Sequence, residues 1–282
     1  MSVRIVIDST CDLIPEIRDR VKVVPLSISF GDQEYIDGVT INTAEFYEKL
    51  VGGNVLPTTS QPTPAAFEEV YEEAVNAGDD VVVITVASKL SGTYQSAVIA
   101  AADYPGKVFV VDSETATIGT GILAELALRL ADRGQSAEEI ARRLEVERDN
   151  VHVVALLDTL EYLKRGGRIS KTVAFAGGLL SIKPVVAIQK GEILMLGKAR
   201  GSKQGNNLLV QQIEAAGGVD FHKPLLLGYT GMSDALLEKY VADSQHLWAE
   251  SEEPLKRCVI GSVIGTHAGP GAIAVAFFRK EN

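Results

Sequence analysis

Residues 81 to 97 (VVVITVASKLSGTYQSA) contain the clearest candidate for an anion-binding site in this sequence. The apolar run from 81 to 87 predicts a buried strand, and Ser91, Gly92 and Thr93 stand where the next helix should begin. Backbone N–H groups in the first turn of a helix lack partners within it, and the helix dipole is positive at that end. The junction therefore favours a carboxylate or a phosphate.

Two other polar segments offer partners for the same ligand. Residues 59 to 64 (TSQPTP) place Thr59 and Ser60 before a predicted helix, which Thr63 is expected to cap. A structural turn would also explain this segment without any ligand. Residues 265 to 271 are the second segment.

Residues 265 to 271 (GTHAGPG) are predicted to be a glycine-rich loop before an apolar strand. Such a loop lets the backbone approach a ligand closely, which gives His267 the most functional setting among the histidines. A histidine that only satisfies nearby backbone groups is the alternative.

Ser91 has three interpretations: a helix N-cap, an anion ligand or a nucleophile. Capping is the commonest use of serine at such a position. A hydrolase elbow would read G-x-S-x-G, but Lys89 and Thr93 occupy the two glycine places. A serine esterase or acyltransferase, with Ser91 as nucleophile and His267 as base, stays open as an alternative function.

The composition excludes several classes of protein. The chain has 282 residues with 37 acidic and 27 basic side chains, a net charge of −10, which argues against nucleic-acid binding. Its two cysteines, Cys11 and Cys258, fit a reducing compartment. No apolar stretch approaches the roughly 20 residues of a membrane span, and the first residues resemble a strand, not a secretory signal. We therefore expect a soluble cytoplasmic protein.

Neither a metal site nor an ATP site is predicted. No histidine pair has metal-ligand spacing, and no G-x-x-x-x-G-K-[ST] phosphate loop occurs. Asp8 and Asp12 could serve phosphoryl transfer, but the spacing D-S-T-C-D does not match the D-x-D-x-T pattern. Asp12 is instead expected to cap a helix that has Pro15 in its first turn.

The elements that must position these residues alternate between strand and helix from residue 1 to about 150. The strands are predicted at RIVID, KVVPLSISF, VVVITVA and VFVVDS. This order indicates a Rossmann-like parallel sheet covered by helices on both faces. Polar residues follow three of the strands, at 8 to 10, 88, and 112 to 113. They should share the rim at which such sheets bind ligands.

Residues 151 to 282 have a different pattern, which predicts an α+β domain with a mixed or antiparallel sheet. A hairpin is expected around Lys190 and Gly191, and a strand is expected over KRCVIGSVI. A local basic loop, LKRGGRIS at residues 163 to 170, contains Arg168, and Arg200 follows later. This loop is either a solvated helix end or a docking surface.

The chain resembles the DegV family, the fatty-acid-binding subunits of bacterial fatty acid kinase, over almost its whole length. The resemblance is carried by motifs in order: VIDSTCDL, TSQPTP, LSGTYQSA, VVDS, LEYLKRGGRIS, IKPVV and THAGPG. It implies a two-domain α/β protein, not itself an enzyme, that holds one long-chain fatty acid between its domains. The carboxylate would be presented to a separate ATP-binding kinase subunit, and the acyl phosphate would feed phospholipid synthesis.

Position by position, the resemblance implies that the carboxylate binds among Thr59, Ser60, Ser91 and His267, with the Gly92 and Thr93 amides nearby. Arg168 and Arg200 would face the partner kinase. The ligand would be palmitate-, stearate- or oleate-like, with no cofactor and no metal, and peripheral membrane contact would serve lipid exchange. A narrow apolar tunnel lined by both domains is expected. A lipid-responsive regulatory protein is a further alternative.

Overall fold

The computed structural model describes residues 2–169 and 182–280; Ser170, the last residue of the basic loop, lies outside these ranges. The strands are β1 (Val3–Asp8), β2 (Lys22–Val24), β3 (Ser27–Phe30), β4 (Gln33–Ile36), β5 (Thr58–Ser60), β6 (Asp80–Thr85), β7 (Val108–Asp112), β8 (Val151–Leu156), β9 (Ile182–Gln189), β10 (Glu192–Arg200), β11 (Leu226–Tyr229), β12 (Arg257–Val259) and β13 (Ile273–Phe278).

The α-helices of the described residues are α1 (Pro15–Arg18), α2 (Thr43–Gly52), α3 (Pro64–Asn76), α4 (Thr93–Ala101), α5 (Ile118–Asp132), α6 (Ala137–Glu147), α7 (Glu161–Arg165), α8 (Gly201–Ala215), α9 (Ala235–Asp243) and α10 (Ser262–Ala268). None of them combines the length and the apolar character that crossing a membrane requires.

The first half of the chain contains the predicted parallel sheet, in the order β2-β1-β6-β7. Successive side chains of a strand point to opposite faces. Ile5 and Ile7 of β1 accordingly pack in the cluster that includes α5 and α6, while Val6 packs in the cluster that includes α3 and α4. The expectation of a sheet covered on both faces is confirmed.

The prediction of one strand over KVVPLSISF is wrong. Residues 22 to 24 form β2 of the parallel sheet, whereas residues 27 to 30 form β3 of a separate antiparallel sheet ordered β4-β3-β5. Pro25 lies between them and has no N–H group to donate to a strand ladder. The break has a functional consequence, because the small sheet carries Thr59 on β5.

The second half of the chain builds a six-stranded mixed sheet, in the order β10-β9-β8-β13-β11-β12. Only β11 and β12 pair in parallel among these neighbours. The hairpin of β9 and β10 turns at Lys190 and Gly191, whose φ angles of 48° and 73° suit a type I′ turn. This sheet confirms the predicted α+β class, and we propose a domain boundary near residue 150.

Helix α5 lies between the two large sheets. It contacts β1 and β6 of the parallel sheet and β8, β11 and β13 of the mixed sheet. Nearly all of its residues up to Leu130 are buried, as expected for a helix that is apolar all round. The two halves of the chain therefore share one core through α5.

Buried ion pairs also connect the two halves. Glu147, at the end of α6, is 2% exposed, and its carboxylate lies 2.6 Å from Arg143 Nη2 and 3.0 Å from Lys223 Nζ. Glu125 of α5 likewise lies 2.7 Å from both Arg129 and Lys256. Each glutamate thus binds one cation from its own helix and one from the second half.

We expect Glu147→Gln to lower the free energy of unfolding by about 2 kcal/mol. This is less than the roughly 3 to 5 kcal/mol typical of breaking a buried pair, because the Arg143 and Lys223 side chains stay 54% and 17% exposed and keep contact with water. Urea denaturation of the variant would measure the change.

Glu138→Gln is the matched control on the same helix. Glu138 is 62% exposed and lies 3.6 Å from Arg142. Losing this ion pair should change the free energy of unfolding by less than about 0.5 kcal/mol. Equal effects of the two substitutions would show that the pairs around Glu147 do not join the halves of the protein.

Candidate functional site

A largely apolar cavity lies between the carboxyl ends of the parallel strands and the mixed sheet. Its empty space, counted together with the open solvent at its mouth, is about 910 Å³. The first half contributes residues that follow β1, β6 and β7, namely Thr10, Val86 and Ala116, and the mixed sheet contributes side chains such as Ala155 and Ala274. A ligand crevice beyond the carboxyl ends of parallel strands is the arrangement expected of this fold.

The loops after the parallel strands meet at one rim, as predicted. The Asp8 carboxylate, at the end of β1, accepts a hydrogen bond from Val86 N–H at 2.7 Å, and the Asp112 carboxylate accepts one from Ser88 N–H at 3.1 Å. These bonds tie the ends of β1, β6 and β7 together. They fix the wall from which the cavity is built.

Four of the predicted polar residues, Thr59, Ser91, Arg168 and His267, line this cavity. Thr59 Oγ1 lies 3.0 Å from His267 Nε2, and Arg168 Nε donates to the carbonyl of Leu90, next to Ser91, at 3.1 Å. We call these four residues the polar end of the cavity.

Other threonines in the cavity wall direct their hydroxyls into the protein. Thr10 and Thr117 donate to the carboxylates of Asp8 and Asp12, each at 2.6 Å, and Thr230 Oγ1 accepts from Ala272 N–H at 2.8 Å. Because these oxygens are held by protein groups, the wall away from the polar end is suited to an apolar chain.

His267 is held in close contact with its surroundings. A Cβ atom at Gly166 would overlap its Nδ1 atom, so residue 166 must be glycine for the ring to fit. Nδ1 is buried and has no hydrogen-bond partner among the described residues. Burial, followed by the nearby charge of Arg168, lowers the pKa of His267 to about 4. The imidazole is therefore neutral near pH 7.

The structure corrects the predicted setting of His267. The expected strand over residues 256 to 264 ends at Val259, and residues 262 to 268 form α10, so His267 lies in a helix and not in a loop. The β-branched Val263 favours a strand by propensity, but its burial against Tyr47 and Leu26 in the core of the small sheet stabilises the helix. Gly269, with φ of 70°, ends it.

The predicted N-cap role of Ser91 is displaced by one residue, because Gly92 is the N-cap of α4. Ser91 Oγ lies 2.9 Å from Thr93 Oγ1 and accepts from the Thr93 N–H at 3.3 Å. Gln61 covers Gly92 closely and donates to its carbonyl at 3.3 Å. Gly92 and Thr93 thus support Ser91 and do not themselves line the cavity.

Ser60 and Arg200 lie apart from the polar end. Ser60 follows Thr59 on β5, so its side chain points to the other face of the strand, and it is exposed. Arg200 is an exposed residue at the end of β10. Arg168, by contrast, is fixed at the cavity by its bonds to the carbonyls of Leu90 and Gly166.

The nucleophile alternative lacks its central contact. Ser91 Oγ is bonded to Thr93 and not to His267, whose Nε2 faces Thr59. No carboxylate orients Nδ1 within the described part of the chain. A serine hydrolase would need both contacts, so the geometry favours a binding role.

The prediction that Asp12 caps α1 is wrong. The N-cap of α1 is Ile14, which makes no side-chain cap bond. The Asp12 carboxylate instead accepts from Gly261 N–H at 2.7 Å and from the Thr117 hydroxyl at 2.6 Å. Burial raises its pKa to about 7 although both bonds lower it. No local pattern predicts this contact, because Asp12 and Gly261 are 249 positions apart.

The fold and the site define a two-domain α/β protein with a largely apolar cavity that carries a group of polar side chains. The chain belongs to the DegV family, since the family model described as "Uncharacterised protein, DegV family" matches residues 2–280. A DegV domain-containing protein of Caldanaerobacter subterraneus is 38% identical over 99% of both chains.

Two solved structures are similar along the whole chain. A DegV family protein from Thermus thermophilus, described for its fatty acid binding, has a TM-score of 0.88 and 34% identity, covering 99% of this chain and 100% of that one. A stearic acid-binding protein from Eubacterium ventriosum has a TM-score of 0.88 and 29% identity, covering 99% of each chain.

The lowered pKa of His267 predicts how the free energy of unfolding changes at acid pH. The folded pKa of about 4 lies below the ordinary value of 6.5, so the unfolded chain binds more protons between these values. The contribution of His267 to stability is therefore complete above pH 6.5 and declines as the pH falls towards 4. His267→Gln should flatten this part of the curve of unfolding free energy against pH.

His246→Gln is the control, because His246 is 62% exposed and lies at the surface beside Glu214. Denaturation from pH 4 to 7.5 would compare the two variants with the parent protein. An imidazole of His267 that titrates near pH 6.5 by NMR would contradict its burial.

Proposed function

We propose that the protein binds one long-chain fatty acid and presents its carboxylate to a separate ATP-dependent kinase subunit. The resulting acyl phosphate would enter phospholipid synthesis. The observation that carries this proposal is the apolar cavity between the two sheets, with Thr59, Ser91, Arg168 and His267 grouped at one end. The chain acts as a carrier and does not catalyse the transfer alone.

The polar end suits a carboxylate. When the neutral imidazole donates from Nε2 to Thr59 Oγ1, the Thr59 hydroxyl hydrogen is left to donate to the ligand. The Ser91 hydroxyl and the charge of Arg168 add further attraction. Hydrogen bonds to a charged group each contribute about 1.5 to 3 kcal/mol. His267 thus acts mainly by orienting Thr59.

The remaining wall suits an acyl tail. Burial contributes about 0.8 kcal/mol for each CH₂ group, which gives roughly 13 kcal/mol for a fully buried tail of about sixteen carbons. Small side chains make room for it, since Ala155 and Ala274 both line the cavity and pair across β8 and β13. The tail therefore provides affinity, and the polar end provides orientation.

The family relatives support the lipid as ligand, because the Thermus thermophilus and Eubacterium ventriosum proteins are described by their fatty acid binding. The kinase partner rests on the resemblance of the motifs to the binding subunits of fatty acid kinase. A sequence without a phosphate loop agrees with a partner that supplies ATP. We assign Arg168 and Arg200 to the docking surface for that partner.

Presentation is the chemical task of such a carrier. Phosphoryl transfer depends mostly on positioning and charge stabilisation, so a carboxylate held in one orientation is already prepared for reaction. Thr59 and Ser91 would hold one carboxylate oxygen and leave the other turned towards the kinase. Peripheral contact with a membrane would supply and remove the lipid.

We expect Thr59→Val and Ser91→Ala to lower acyl phosphate formation at least tenfold while the protein still binds lipid. Each substitution removes a head-group bond worth about 1.5 to 3 kcal/mol and leaves the wall for the tail intact. Native mass spectrometry would measure bound fatty acid, and labelled ATP with a purified kinase subunit would measure acyl phosphate.

Ser60→Ala is the matched control, because Ser60 is the exposed neighbour of Thr59 on the same strand. It should leave both measurements unchanged. A parent protein that takes up no fatty acid would refute the carrier function. Ester hydrolysis by the isolated chain that is lost in Ser91→Ala would instead favour the esterase alternative.

A further inference from the structure

The buried carboxylate of Asp12 joins three distant parts of the chain. Its Oδ1 accepts from Gly261 N–H at 2.7 Å, and its Oδ2 accepts from the Thr117 hydroxyl at 2.6 Å. The Asp12 N–H also donates to the Thr117 carbonyl at 3.4 Å. Asp12 is 6% exposed and forms no ion pair among the described residues. A carboxylate buried in this way requires hydrogen bonds, and these are the ones it has.

One of these bonds holds the helix that carries His267. Gly261 is the N-cap of α10, and His267 lies in the last turn of this seven-residue helix. At about 1.5 Å per residue, the imidazole stands only roughly 9 Å along the axis from Gly261. Because the helix is short, fixing its first N–H group fixes the direction in which the ring approaches Thr59.

The other bond holds a strained residue of the cavity wall. Thr117 has φ of 56° and ψ of −132°, a conformation that β-branched residues rarely adopt. Such strain persists only where the surroundings impose it, and the Asp12 carboxylate binds its side chain while the Asp12 N–H binds its carbonyl. Gly121 lets Asp12 lie this close to the start of α5, because a Cβ atom at residue 121 would overlap the Asp12 carbonyl oxygen.

We propose that Asp12 is the positioning residue of the polar end, setting α10 and His267 against the loop that contains Thr117. Asp12 does not line the cavity and acts only through these two contacts. The effect on acyl transfer rests on the proposed function, but the effect on the His267 ring does not.

The two substitutions at Asp12 differ in the hydrogen bonds that they retain. Asp12→Ala removes both acceptors. Asp12→Asn can keep both hydrogen bonds, since its amide oxygen accepts from Gly261 N–H and its NH₂ group donates to the Thr117 oxygen, which reverses the second bond. We therefore expect Asp12→Ala to lower acyl phosphate formation at least tenfold, and Asp12→Asn to restore most of it.

The decisive readout is spectroscopic. The His267 ring signals of the lipid-free protein, and the carboxyl signal of bound palmitate labelled with ¹³C at C1, should shift in Asp12→Ala and stay near the parent values in Asp12→Asn. The spectra are taken at pH 8, where Asp12 is ionised because its pKa is about 7.

Glu147→Gln is the structural control, because Glu147 is also a buried acid that joins the two halves. It should lower stability and leave both signals in place. Unchanged signals in Asp12→Ala, or equal shifts in Glu147→Gln, would overturn the proposal. Should Asp12→Ala fail to fold, Thr117→Val removes one of the two bonds and must shift the same signals.

Failure of the proposed function would be recognised separately. A parent protein that binds no palmitate gives no ¹³C signal and refutes the carrier role. The His267 ring signals of the lipid-free variants still test the positioning role of Asp12 in that case.

Discussion

The cost of burying polar groups without partners is the constraint on which this structure depends. A cavity between two sheets stays apolar only if the hydroxyls in its wall are held by protein groups, as those of Thr10, Thr117 and Thr230 are. The polar end differs, because Nδ1 of His267 is buried and has no partner among the described residues. The Thr59 hydroxyl accepts from Nε2 of the neutral ring, which leaves its own hydrogen to be donated to a ligand. The candidate ligand site is thus the part of the cavity wall whose polar side chains have hydrogen-bonding groups left for a ligand.

The same constraint explains the buried acids around the cavity. Asp8 closes the rim of the parallel sheet by accepting from Thr10 and Val86, and Asp12 connects the wall to α10. Each carboxylate is costly to bury, so each must be hydrogen-bonded, and the bonds fix loops that would otherwise move. Helix α5 completes the arrangement by filling the space between the sheets.

Local patterns predicted much of the fold and part of the site. The apolar runs predicted the parallel sheet, and the turn residues Lys190 and Gly191 predicted the hairpin, because both signals are contained within a few residues. Thr59, Ser91 and His267 stood out by residue type and setting. The helical setting of His267 and the role of Asp12 did not, since both depend on contacts between segments far apart in sequence.

Binding of a lipid and protonation of His267 must be coupled if a carboxylate occupies the polar end. Burial and Arg168 keep the imidazole neutral in the protein alone. A carboxylate beside Thr59 would bring a negative charge near the ring and raise its pKa, while Arg168 would share that charge and limit the rise. The cation therefore has two effects, since it attracts the ligand and preserves the neutral ring that orients Thr59. A lysine could supply the charge, but the two bonds from the guanidinium to the carbonyls of Leu90 and Gly166 require the planar group of arginine.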